Sequence, residues 1–202
     1  MFRFSLLQIL YILPGILLGL STHEFFHALI ATRLGDPTPR NQGRLTLNPL
    51  KHLDPIGFLF IILVGFGWAK PVNINHSYLK NPKRDDTLIA LSGPFSNILV
   101  GIFFLLIMRY SLSAGIEEMI NIAYYSAYIN FVLAVFNVLP IYPLDGFHVL
   151  SNAIGLKNFR LIAAIQKYSM FILLGLVITR ITTYIVAIPA NYLLEFFIRY
   201  II

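Results

Sequence analysis

The chain contains no cysteine, which excludes disulfides, thiolate catalysis and cysteine-ligated zinc and leaves histidine and carboxylate as the available metal ligands. Charge is scarce too: nine Asp and Glu and fifteen Lys and Arg make up 12% of the 202 residues, against 57% hydrophobic. With a mean hydropathy of +0.75, the chain is more apolar than a soluble globular domain, in which roughly a quarter of residues are charged. An integral membrane protein is therefore expected, built from apolar runs of about 20 residues that each cross the hydrocarbon core. The formal charge of +6 does not signal nucleic acid, because the basic residues flank apolar runs instead of clustering with exposed aromatics. No repeat, low-complexity tract or soluble second domain is evident. Residues 1–202 read as one membrane domain, with a core over about residues 4–150 and further helices over about residues 161–202.

The apolar runs set an expected order of elements. A first span covers about residues 4–32 and carries Gly15 and Gly19 at a spacing that permits close helix packing. It is too long to be a cleaved signal peptide. The sequence then turns polar, and residues 44–47, Arg-Leu-Thr-Leu, alternate with period two, which predicts a short strand or hairpin. Residues 56–68 are apolar but too few to cross in a relaxed helix, so a re-entrant segment with both flanks on one side is expected, with Trp68 as an interfacial anchor. Asp85 and Asp86 are placed to cap a second span over about residues 87–110, interrupted at Gly93-Pro94. A third span, about residues 119–139, ends at Pro140 and Pro143, and Asp145-Gly146 follows the break. The remainder predicts two more helices, parted near residues 180–183 and kinked at Pro189.

Orientation follows from the basic residues. Arg33, Arg40, Arg44, Lys51, Lys70, Lys80, Lys83 and Arg84 lie between the first and second spans, and Lys157 and Arg160 follow the third, whereas Glu117 and Glu118 mark the opposite loop. The positive-inside rule then places the N-terminus outside and the long basic loop in the cytoplasm.

Inside the first span stands His23-Glu24-Phe25-Phe26-His27, where ionisable side chains are costly and default to function. Histidines four apart share a helical face and reach one metal; Glu24, about 100° around from His23, flanks it as a general base should. A catalytic zinc takes three protein ligands and keeps a position open. Asp145 is the strongest third candidate, since it adjoins a broken helix end at the same depth; the alternative is a helix-terminating Asp-Gly turn. Two imidazoles and one carboxylate would leave the ion a net positive charge that lowers the pKa of bound water. Asn97 and Asn137 are candidates to donate to an oxyanion or to hold substrate backbone, with interhelical hydrogen bonding as the alternative. His52 and His76 read as solvated loop residues, and His148 as structural.

The strings HEFFH, SGPFSN (residues 92–97) and NVLPIYPLDG (residues 137–146) resemble, in order, the three core motifs of the site-2 protease family of intramembrane zinc metalloproteases. The likeness extends over about residues 18–150 and includes loop segments typical of small prokaryotic members. It implies an all-α polytopic protein with a three-helix catalytic core. It further implies one zinc ion per chain on His23, His27 and Asp145, Glu24 as general base, Asn97 and Asn137 as the family's asparagines, and a membrane-spanning protein as substrate. No PDZ or CBS domain is expected in the chain. Phe147 departs from the family pattern, which commonly has a second glycine there. A zinc-binding membrane adaptor or chaperone without turnover, and a metal transporter, remain the other classes; for the transporter, no paired internal repeat is visible. The sequence does not set the oligomeric state.

Overall fold

A computed structural model describes residues 5–64, 67–155 and 159–202. The expected start of the first span at residue 4, residues 65–66 of the expected re-entrant segment and Lys157 lie outside them. The described residues are almost entirely helical, as the sequence predicts: α1 (Leu6–Arg33), the single-turn α2 (Thr38–Asn41) and α3 (Pro49–His52), α4 (Pro55–Val64), α5 (Pro82–Ala114), α6 (Glu117–Val138), α7 (Asp145–Ala153), α8 (Phe159–Ile178) and α9 (Ile188–Ile201). Among them, four segments are long and apolar enough to cross a membrane: Leu7–Arg33, Pro82–Ala114, Glu117–Val138 and Thr183–Ile201. The protein is an all-α polytopic membrane protein.

Local chemistry explains the ends of these helices. Ser5 and Gln8 form a reciprocal capping box at the start of α1. Asp85 accepts the backbone N–H of the N-cap Asn81 at 2.9 Å, and Gly115, with φ of 70°, closes α5 in the left-handed conformation that glycine tolerates best. Glu117 and Glu118 sit in the first turn of α6, at the positive end of its dipole. Pro94 does not interrupt α5 as expected; the helix runs through it for 33 residues, its flank buried against neighbouring helices. Pro189 lies in the first turn of α9, where its missing N–H is harmless, and the irregularity falls just before it in a π-type turn at Thr183–Ala187.

Helices α1, α5 and α6 pack pairwise as a three-helix core. Gly15 and Gly19 are where α6 comes closest to α1: a Cβ on Gly15 would stand 2.6 Å from Ser126 Cα, and one on Gly19 2.3 Å from Asn130 Oδ1. A second apolar cluster joins Val100, Phe104 and Leu105 of α5 to Ala127 and Phe131 of α6 and Leu194 of α9, with Phe131 and Phe197 stacked at 5.5 Å. Helix α7 packs along α5, which brings its first residue, Asp145, to the middle of the bundle.

The long loop between α1 and α5 differs from expectation in one respect. Residues 44–47 form no strand, with bends at 45 and 46, and Arg44 turns inward: its guanidinium donates to the carbonyls of Lys51 and Lys70. The one β-bridge among the described residues joins Leu53 to Ala69 in antiparallel fashion, and Lys70 N–H donates to His52 O at 2.7 Å. The two flanks of α4 therefore meet, as a re-entrant segment requires. From that bridge, residues 70–75 run without helix or strand, Val72 and Ile74 half-buried between exposed neighbours.

Candidate metal centre

His23 and His27 project from one face of α1 towards α5 and α7, and Asp145 reaches them from the first turn of α7. His23 Nε2 stands 3.0 Å from His27 Nε2 and 3.1 Å from Asp145 Oδ2; His27 Nε2 stands 3.4 Å from Asp145 Oδ1. For ligands about 2.0–2.1 Å from a tetrahedral zinc, neighbouring donor atoms fall about 3.3 Å apart, so the three atoms outline one face of such a site. Together they form a group that could hold a metal ion, its donor atoms all within 4.8 Å of one another.

The opposite nitrogens decide which form of each ring is present. His27 Nδ1–H donates to Ile89 O at 2.8 Å. His23 Nδ1–H donates to Asn97 Oδ1 at 2.7 Å, an orientation of the amide fixed because Asn97 Nδ2 donates to Gly19 O at 3.1 Å and Asn130 Oδ1 at 3.2 Å. Both Nε2 lone pairs are thereby turned on each other and on a carboxylate, an arrangement that repels itself unless a cation lies among them. The donor set fits zinc. Gly93 completes the cradle: a Cβ there would stand 2.6 Å from Nε2 of both histidines, so only glycine lets α5 approach this closely.

Glu24 is buried beside the ligands, and its Oε2 accepts the backbone N–H of Val72 at 3.0 Å. The segment at residues 70–75 thus lies over the carboxylate like a strap. Lys70 N–H on His52 O and Asn75 N–H on buried Asp36 at 2.7 Å hold it on either side.

The structure brings His23, Glu24, His27, Asp145 and Asn97 together. Asn97 is fully buried with both amide hydrogens and its oxygen engaged. It therefore orients His23 and has no donor left for substrate. Asn137 stands apart: one hydrogen goes to Leu133 O in its own helix at 2.9 Å, and the rest of its amide is uncommitted among the described residues. Asn130 was not apparent from sequence, although a fully buried asparagine inside an apolar span is a signal of the same kind as Asn97; it donates to Gly15 O and Ser126 O while accepting from Asn97. His52 is fully buried and bonded to Thr46 O at 2.7 Å, not solvated. His76 is half exposed but paired with Asp86. His148 contacts Asp86, not the metal ligands. Phe147, the departure from the family pattern, is buried edge-on against Tyr142 at 5.7 Å and so secures the loop before Asp145.

Residues 107–179 match the profile of peptidase family M50. The "Putative zinc metalloprotease YwhC" of Bacillus subtilis (strain 168) is 33% identical over 185 residues, which cover 87% of this chain and 83% of that protein. The like-named protein MJ0611 of Methanocaldococcus jannaschii is 30% identical over 150 residues, 73% of each chain. Rip2 of Mycolicibacterium smegmatis is 28% identical over 173 residues, and the chain spans 66% of its length. No solved structure matches. With its ordered motifs and its coverage of YwhC, the chain belongs to peptidase family M50, the site-2 protease family of zinc metalloproteases.

Proposed function

We propose that the protein hydrolyses a peptide bond within a membrane-embedded segment of a protein substrate, near the cytoplasmic face, using Glu24 as the general base. The observation that carries this reading is the convergence of His23 Nε2, His27 Nε2 and Asp145 within 3.0–3.4 Å of one another, with Glu24 beside them on α1. A zinc ion held by the three ligands supplies Lewis acidity, which polarises a carbonyl and makes water acidic enough to act near neutral pH.

The protein's own groups do the rest. Glu24 takes a proton from the attacking water and passes it to the leaving amine nitrogen, so that a C–O bond replaces the peptide C–N bond and one water is consumed. Its Oε2 is held by the Val72 N–H, which leaves Oε1 to take the proton. Asn97 and Ile89 O hold the two imidazoles in the tautomer that presents Nε2. Asn137, with amide hydrogen to spare, is the remaining candidate to donate to the oxyanion. A membrane-spanning substrate is supported by where the two histidines sit: on α1, about 15 and 9 Å of helix before its C-terminal end, within a bundle whose helices are long and apolar enough to cross a membrane. The charge distribution supports placing that depth on the cytoplasmic side.

The test compares Glu24→Gln and Asp145→Asn in metal content and in cleavage of a transmembrane peptide. Glu24→Gln should keep its zinc and lose about 10²- to 10⁴-fold in rate; Asp145→Asn should lose zinc. Normal turnover by Glu24→Gln would refute the mechanism, and zinc-loaded parent protein without any turnover would favour an adaptor.

A further inference from the structure

Asp86 has a part to play that neither the motifs nor the family profile assigns. It sits near the start of α5, buried, and its two oxygens serve two different elements. Oδ1 accepts from His76 Nε2 at 2.7 Å; Oδ2 accepts from His148 Nδ1 at 3.2 Å and from Asn152 Nδ2 at 2.8 Å, while Asn152 also donates to Thr87 Oγ1 at 3.2 Å. His76 directly follows the strap that lies on Glu24, opening the single 3-10 turn His76–Tyr78. His148 and Asn152 belong to α7, whose first residue is Asp145.

The spacing makes this more than a surface contact. Positions 145, 148 and 152 follow i, i+3, i+7 and share one face of α7, so the face that offers Asp145 to the histidines offers His148 and Asn152 to Asp86. On α5, positions 86, 93 and 97 follow i, i+7, i+11 and share a face as well. Asp86 lies about 10 Å along the axis from Gly93, the residue against which both histidines rest.

We propose that Asp86 is a positioning residue for the metal centre: one carboxylate oxygen sets the helix that carries Asp145, and the other fastens the strap over Glu24. The inference rests on the zinc site proposed for His23, His27 and Asp145. Its logic is that of an outer hydrogen-bond partner that orients a metal ligand, here acting through a helix. The strap is also held by the backbone N–H groups of Lys70, Val72 and Asn75 and by Ile74, which packs in the cluster of Ala31, Leu79 and Ile89. His76 adds a hydrogen-bonded side-chain tether to α5, so releasing it loosens the segment over Glu24.

The test uses the full chain purified in detergent and reads two quantities that need no turnover: zinc affinity by chelator competition, and amide exchange over residues 70–76 of the metal-free chain. Asp86→Ala should weaken zinc binding about 10- to 100-fold and speed exchange at Val72. His76→Ala should speed exchange and leave zinc affinity unchanged. His148→Ala with Asn152→Ala should weaken zinc and leave exchange unchanged. This division of the two effects is what a general loosening of the fold would not produce, and the two arm variants keep the test decisive if Asp86→Ala does not fold. The proposal is overturned if Asp86→Ala leaves both quantities at parental values, or if all variants move both together. A parent chain that binds no zinc would overturn the metal site itself and this inference with it; a zinc-binding parent with an indifferent Asp86→Ala overturns this inference alone.

Discussion

Gly93→Ala is the most exacting perturbation of the site. The added methyl would lie 2.6 Å from His23 Cε1 and Nε2 and from His27 Nε2, about 1 Å inside the roughly 3.5 Å at which such atoms rest. Little can yield. The rings are pinned at their far nitrogens by Asn97 and Ile89 O at 2.7 and 2.8 Å, and α5 is held to α1 by Asn97 Nδ2 on Gly19 O. Overpacking of this kind costs about 1–3 kcal/mol. If the strain falls on the ligands, zinc affinity drops by roughly 5- to 150-fold, at tenfold per 1.4 kcal/mol. A ligand displaced by about 1 Å would cost a further ~10²-fold in turnover. Chelator competition on purified protein measures the first effect and single-turnover cleavage the second. Gly175→Ala is the control, since nothing lies within 4 Å of a Cβ there, and it should change neither. Parental zinc affinity and rate in Gly93→Ala would refute the close-approach argument.

Asn97→Ala should lower zinc affinity about 10- to 100-fold, because His23 loses the acceptor that fixes its tautomer, and Asn130→Ala should do so less, since it acts one bond further out; equal zinc affinity in Asn97→Ala would show that His23 needs no such partner. The pH dependence of stability should carry two opposed contributions. The hydrogen bond to Asp86 raises the pKa of His76 above its ordinary 6.5. Its stabilising contribution is therefore fully present below 6.5 and lost as pH rises through the raised value. The difference in melting temperature between parent and His76→Ala should shrink as the medium is made alkaline. Burial lowers the pKa of His52, so its neutral form is favoured in the fold and its contribution falls as pH drops below 6.5. A melting-temperature difference for His76→Ala that grows with pH would contradict the first assignment.

The parts of the site that were legible in the sequence are those set by local periodicity or by cost. His23 and His27 share a face by helix geometry alone, and an ionisable pentad in an apolar run has few explanations other than function. Asp145 was legible because a proline-broken helix end at the right depth leaves few other carboxylates to choose from. The length of residues 56–68 revealed a segment too short to cross, and its flanks do meet. What was not legible depends on contacts between distant positions. Period-two alternation at residues 44–47 looked like a strand, but Arg44 is drawn inward by carbonyls of Lys51 and Lys70. His52 lies in a polar loop by sequence, yet that loop folds over it. Asp86 reads as a helix cap beside Asp85; only the packing of α7 and the strap against α5 makes it a hub. Asn97 was visible as a costly amide, but its role was not, because an asparagine's direction is decided by the carbonyl and the second amide it meets.

The most direct test of the central claim is cleavage of a membrane-spanning peptide by zinc-loaded parent and zinc-loaded Glu24→Gln protein in liposomes, with the products identified by mass. The account predicts a cut inside the apolar span of the peptide, made by the parent and lost in Glu24→Gln at equal zinc content. Equal cutting by the two proteins, or no cutting by a parent that carries one zinc per chain, would contradict it.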